Sequence, residues 1–238
     1  MIPLQTRNRI HMDKFLSLLQ FTDGLFPAGA YAHSFGLEAS VQAGDVSEAI
    51  GVENFLRAYL EGCAAPTDAV ALLCARRAAA TSNLASRLSL DEMLDAMKTP
   101  SELRDASRQM GRQTLRVATH LHRHPLLEEF GKFIDTENTP GHHSVVFGII
   151  GGVLEWDALD MTSAYLYSTS AALVGAALRL LSLGQLAGQR ILWNVQPLIA
   201  TLAAEAQNKN ESDMWSFAPA LEIASMQHAL LDARLFRS

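Results

Sequence analysis

Residues 161–178 read MTSAYLYSTSAALVGAAL, 18 positions without a charge, bounded by Asp160 and Arg179. The reading of this stretch decides the fold, because its length alone would let it cross a bilayer. Its content points elsewhere: five Ser or Thr, two Tyr and many Ala fit a helix buried on all sides within a large helical protein. We therefore expect a buried helix and no membrane span.

The flanking sequence is of the same kind. Strongly apolar helices are predicted over 144–156, 161–183 and 185–207, with Gly184 ending the second and Pro197 kinking or restarting the third. Upstream, a helix is predicted after Met12 with Asp13 as its N-cap, then one over 34–43 stopped by Gly44, and one capped by Ser47. Pro66 and Thr67 are read as opening the next helix. Ser89–Glu92 and Thr99–Glu102 are read as capping boxes, the second starting a long helix to about His122. Pro125 opens a further helix, 138–143 is a loop, 208–213 is a polar linker, and a last helix is expected from Pro219 to about Arg234. No segment alternates as a strand does. The prediction is one all-α domain over 1–238, a helical bundle of roughly eight to ten helices. It carries a flexible segment 1–12 and a C-terminal tail 230–238.

Composition narrows the class of function. Hydrophobic residues make up 49% and charged residues 18%, against about 25% usual for charge. That shortfall points to surface covered by partners, and it excludes disorder. Two cysteines, Cys63 and Cys74, make no disulfide framework. A net charge of −6 argues against nucleic-acid binding, and the N-terminus has no apolar region of a signal peptide. Cations are unevenly placed: none lies between Lys132 and Arg179, a gap of 46 residues expected to be a buried centre or a self-association surface. Arg104, Arg108, Arg112 and Arg116 instead recur every four residues, with His120 and His124 continuing the series. That winding stripe reads as a solvated face or a docking strip for acidic groups.

The segment LFPAGAYAHSFGLE, 25–38, is the most unusual. Pro27 and Gly29 reverse the chain, and Gly36, read as lying inside a helix, implies close approach of another backbone. Tyr31, His33 and Ser34 put three hydrogen-bonding groups on one junction. As chemistry, His33 would be a base and Ser34 a nucleophile, but no acidic orienter or oxyanion pattern accompanies them, so a structural junction is favoured. For metals, His142 and His143 are adjacent in a loop, and His120 and His124 are spaced one helical turn apart; no Cys/His cluster supports them. The end of the chain mixes Leu230, Leu231, Leu235 and Phe236 with Arg234 and Arg237, either packing as the last helix or ordering on a partner.

Pro27, Gly29, Tyr31, Ser34, Gly36, Leu37 and Glu38 also match a P-x-G-x-[FY]-x-x-S-x-G-L-E pattern, and here the chain resembles the urease accessory F proteins. SRQMGR at 107–112, HHSVVFG at 142–148 and EIASMQHALLDARLFRS at 222–238 resemble further segments of that family in the same order, with Gln227 and Ala229 in place of its usual arginine and glutamate. The resemblance implies a cytoplasmic, all-α homodimer that is not an enzyme and binds no cofactor tightly. It implies that the chain assembles with a D/H-type accessory protein and the nickel-carrying G-type GTPase, whose activity it could modulate, to insert nickel into apo-urease. Partner-binding residues are then expected among Tyr31, His33, Ser34, Glu38, Arg104, Arg108, Arg112, Arg116, His228, Arg234, Leu235 and Phe236, with Pro27, Gly29 and Gly36 shaping the motif. Competing readings are a helical metalloenzyme using His33, His142 and His143, or a nickel-binding metallochaperone.

Overall fold

The structure, a computed structural model, describes residues 4–81 and 84–237, with side chains described from Asp13 onward. The side chains of the whole segment 1–12 set apart by the sequence, and Ser238 of the tail, therefore lie outside what is described. Among the described residues every regular element is helical. In chain order these are α1 (Leu4–Thr22), α2 (Leu37–Gln42), α3 (Ala49–Tyr59), α4 (Val70–Ala80), α5 (Leu84–Met97), α6 (Ser101–Leu121), α7 (Pro125–Asp135), α8 (His143–Val153), α9 (Ala158–Leu180), α10 (Gln185–Ala206) and α11 (Pro219–His228). Short 3₁₀ turns occupy Ala30–Ala32 and Glu211–Asp213.

The apolar helix α8 is the centre: Ser144 to Gly151 are all buried, and it packs chiefly on α4 and α6. Glycines make the α4 crossing possible. A Cβ on Gly148 would lie 2.2 Å from the Leu72 carbonyl oxygen, and one on Gly152 would lie 2.7 Å from the Ala79 methyl. Backbone thus meets backbone across the crossing, with Ala75 and Ala79 supplying the small surface opposite. Helix α9 flanks this core and α10 lies against α9.

The stretch 161–178 is helical, as expected, but not buried on all sides, since Tyr167 is exposed and neighbours such as Ala164, Ser168 and Ala171 are half-buried. Among the described residues no helix is long and apolar enough to cross a membrane. Its hydroxyls turn back on their own helix: Thr162 donates to the Ala158 carbonyl and Ser170 to that of Leu166, both at 2.7 Å. The helix starts three residues early because Asp157 caps it, accepting from the amides of Leu159 and Asp160 at 2.9 and 3.0 Å.

Other boundaries correct the sequence reading. Helix α1 already runs from Leu4, so Asp13 is not its cap. The residue before α3 is Glu48, not Ser47. Pro66 opens no helix: α3, a π-helical stretch Leu60–Ala69 and α4 form one continuous rod. Proline has no N–H to give to the preceding turn; the Gly62 carbonyl instead accepts from the Phe217 amide at 2.9 Å, and Thr67 Oγ1 donates to the Trp215 carbonyl at 2.7 Å. The segment 215–217 is thereby clipped to the break. Ser89–Glu92 lies within α5 rather than at its start; Asp91 turns inward and serves a distant loop instead of its own helix. Pro100 precedes α6 as its cap residue. Helix α10 runs unbroken through Pro197, which stands on the exposed face where the freed carbonyl is open to water. Helix α11 stops at His228, six residues short of the expected end.

Candidate functional site

The motif 25–38 is a folded loop as far as Gly36, with a 3₁₀ turn over Ala30–Ala32, and enters α2 only at Leu37. The Asp23 carboxylate accepts from the Leu25 amide at 2.7 Å and starts the turn. Gly29 and Gly36 have φ of 91° and 85°, in the left-handed region that glycine enters without strain. Gly36 therefore sits at the start of α2 and not inside a helix, which corrects the expectation. The predicted close approach is nonetheless there: a Cβ on Gly36 would lie 3.1 Å from the Ser225 amide nitrogen of α11.

That contact brings the motif to the end of the chain. Glu38 is only 2% exposed, and its carboxylate is met by donors from the terminal segment and α11. The amides of Leu235 and Phe236 donate to it at 2.7 and 3.0 Å, and His228 Nε2 lies 2.9 Å away. Burial pushes the Glu38 carboxyl up, but these bonds and the His228 charge outweigh it and hold the group below its ordinary range. The other ring nitrogen of His228 meets Glu102 at 2.7 Å, and Arg234 donates to the same Glu102 carboxylate at 3.0 Å. Phe236 is buried, and the Arg179 guanidinium lies over its ring at 4.1 Å and over the Tyr31 ring at 3.6 Å. Arg179 also donates to the Tyr31 carbonyl at 2.7 Å. The Arg237 amide closes the seat on the Ala32 carbonyl at 2.8 Å.

The structure thus brings Tyr31, His33, Ser34, Glu38, His228, Arg234, Leu235 and Phe236 into one neighbourhood. Tyr31 and Leu235 are exposed, while His33, Ser34, Glu38, His228 and Phe236 are buried. Ser34 Oγ accepts from the Glu38 amide at 3.3 Å and so serves a first-turn N–H of α2. Two contributors escape the sequence reading. Arg179 is visible there only as the end of the cation-free stretch, and Glu102 only as part of a capping box.

The arginine stripe is elsewhere on α6 and is divided. Arg104 donates to the Lys98 carbonyl at 3.3 Å, and Arg108 pairs with Asp95 at 2.6 Å. Arg112 and Arg116 are exposed and line a groove between α6 and α7, opposite Glu128 and Asp135. His124 does not continue the stripe. The chain leaves the helix at His122, in extended conformation, and His124 caps α7 by accepting from the Leu126 amide at 3.3 Å. The expected turn-spaced pair His120–His124 is therefore not formed on one helix.

Of the two histidines read as a loop pair, His142 is buried just before α8, and His143, half-buried, is the first residue of that helix. His142 Nδ1 lies 3.0 Å from Ser107 Oγ and its Nε2 lies 2.9 Å from Asp95, which Arg108 already holds. The contact order resembles a nucleophilic serine chain, yet the imidazole is wholly enclosed, so the chain joins α5, α6 and α8 rather than meeting a substrate. Among the described residues no group of three His, Cys, Asp or Glu side chains is arranged to hold a metal ion, so His33, His142 and His143 do not build one centre.

Beneath the 23–31 loop lies a cavity of about 560 Å³, walled by Tyr59, Cys63, Lys98, His143 and Tyr165. Its chemistry is quiet. Burial pushes the Cys63 thiol and both tyrosine hydroxyls up, away from their ionised forms, and lowers His143 to about 4. Burial, then the Arg237 charge, lowers His33 to about 4 as well. At neutral pH these residues supply no thiolate and only a weak base, beside the Lys98–Asp68 ion pair.

These two histidines give a pH prediction. Unfolded, each takes a proton near 6.5; folded, each resists until about 4. Stability is therefore expected to fall as pH drops from about 7 to 4, by a few kcal/mol in sum. Each tenfold loss of proton affinity on folding is worth about 1.4 kcal/mol, reduced by partial solvent access. The lowered carboxylates Glu38 and Asp95 extend the loss further into acid. Thermal unfolding followed across that range tests this; a flat profile would contradict it.

Comparison with known proteins agrees with this picture. A family model described as UreF matches residues 46–196. The chain is 31% identical to the urease accessory protein UreF of Bacillus sp. (strain TB-90) over 227 residues, covering 95% of this chain and 100% of that protein. It is 31% identical to the protein of the same name from Lachnoclostridium phytofermentans, over 95% of this chain and 100% of the relative. It is also 31% identical to the one from Trichodesmium erythraeum, over 93% and 95%.

Proposed function

The chain belongs to the UreF family of urease accessory proteins, and from that premise we propose that it is a non-catalytic, cytoplasmic assembly subunit. It pairs with a second copy of itself. It docks a D/H-type accessory protein on its C-terminal face and, with it, the G-type nickel GTPase, so that nickel reaches apo-urease as cargo of the complex. It holds no tightly bound cofactor of its own and binds neither nucleic acid nor membrane.

The observation that carries this reading is the outer face of α11. Pro219, Ile223 and Met226 follow one another at helical spacing on its exposed side, and exposed Leu230, in the turn that follows the helix, extends them, flanked by exposed Phe217 and Leu235. Leu230 is 82% exposed and Phe217 74%. An apolar stripe of this kind, on the element that closes the family motif, is what a partner helix or groove covers. Exposed Trp193 and Leu186 on α10 offer a separate apolar face for the second copy, and Arg112 and Arg116 an anchor for an acidic surface of the GTPase.

The test is co-purification with a D/H-type protein. The double variant Ile223→Asp, Leu230→Asp changes only exposed positions and should fold, yet lose binding by about 100-fold or more. Full-affinity binding would move that partner to another face. Light scattering should give twice the chain mass at micromolar concentration.

A further inference from the structure

His228 sits between two carboxylates, and that position fixes what it must be. Its Nε2 is 2.9 Å from Glu38 and its Nδ1 is 2.7 Å from Glu102. An ionised carboxylate only accepts hydrogen bonds, while a neutral imidazole has one donor and one acceptor nitrogen. Both contacts are satisfied together only when both ring nitrogens carry a proton. The ring has no water to turn to, being fully buried.

The charges around it make a closed set. Glu38 faces it from α2, Glu102 from α6, and Arg234 from the terminal segment. Further out, Arg237 faces His33, and Arg179 of α9 faces the rings of Tyr31 and Phe236. The two carboxylates are balanced by Arg234 and a protonated His228. Without that proton, a lone pair points at a carboxylate and one buried negative charge is left over. Glu38 is also the acceptor for the Leu235 and Phe236 amides, so the same carboxylate holds both the ring and the terminal segment.

We propose that protonated His228, shared between Glu38 and Glu102, is the latch that seats the C-terminal segment, and that loss of its proton frees residues 229–237 to rearrange on a partner. The consequence rests on the docking reading above: a seated segment holds Leu230 and Leu235 at one edge of the α11 stripe, and a freed one can follow the partner's surface. The sign follows from the geometry. The latch is closed while both His228 ring nitrogens carry a proton and opens when one is lost.

The experiment needs no partner. The full chain is labelled with ¹⁵N-histidine and its ring nitrogens are followed by NMR against pH, with His228→Gln assigning the signal. In parallel, hydrogen-exchange protection of the Leu235 and Phe236 amides is measured, corrected for the intrinsic pH dependence of exchange. Both ring nitrogens should be protonated at pH 7, and amide protection should fall at least tenfold with the same midpoint as the ring. His228→Gln should show that low protection already at pH 7, with α8 amides unchanged. A neutral ring at pH 7, or protection that ignores the ring's titration, overturns the latch. The titration of the unmodified chain decides this even if the variant is unstable. Failure here leaves partner docking on α11 untouched, whereas full partner affinity of the stripe variant would remove the docking reading and leave the latch standing.

Discussion

Replacing Gly148 by valine is expected to cost about 3 kcal/mol or more and to leave the chain without a fixed tertiary structure. The added Cβ would fall 2.2 Å from the Leu72 carbonyl oxygen and 2.9 Å from the Ala75 methyl. Neither neighbour can yield, since one is helix backbone and the other is the stub of a side chain in the α4 helix. The two central helices would have to separate, opening gaps along Val145, Ile149 and their neighbours, all fully buried. Alanine at the same position introduces the same first clash with less bulk and should already cost more than about 1 kcal/mol. Urea denaturation with far- and near-UV circular dichroism measures both. An alanine variant as stable as the parent would show that the crossing has room to spare.

Asp91→Ala should be nearly as damaging, for a different reason. The Asp91 carboxylate is fully buried. It accepts from Thr139 Oγ1 at 2.6 Å and from the amides of Gly141 and His142 at 2.5 and 2.8 Å. These bonds hold the loop that delivers His142 to Ser107 and opens α8. Alanine leaves three buried donors without an acceptor, at about 1–3 kcal/mol for each that water cannot reach, so a total of about 3–5 kcal/mol is expected. Asparagine keeps one acceptor oxygen and should recover a good part. Thermal unfolding ranks the three proteins; an alanine variant within about 1 kcal/mol of the parent would mean that water replaces the carboxylate.

Much of the helical architecture is legible from periodicity and caps. The residues of α6, α7 and α9 fall within a few positions of their expected places, because long apolar stripes and prolines at starts are local signals. The departures have local causes too. Asp157 draws the start of α9 forward. The Gly62–Pro66 break reads as a boundary because nothing in the local sequence reveals that Phe217 supplies the missing donor. Gly36 does mark a close approach, but a positive φ and a helix interior look alike in sequence. The functional neighbourhood is only half visible. The motif 25–38 and the tail each stand out, yet their joining through Glu38 pairs positions 38 and 236, which no spacing rule connects. The stripe Arg104–Arg116 is periodic, but which members are spent on Asp95 and the Lys98 carbonyl depends on how α5 lies across it. The cavity under the loop is made by residues from many elements and has no signature at all.

The joining of Glu38 to Leu235 and Phe236 also sets an order of events during synthesis. The ribosome releases the motif early and its last partners late, so the carboxylate must wait for almost the whole chain before it is enclosed. Contacts of such long sequence separation are slow to form and are made near the end of folding. Before Leu235 and Phe236 are added, the Glu38 acid lacks two of its donors and the core lacks the Phe236 ring. The closed form of the motif therefore exists only once the chain has been made as far as Phe236.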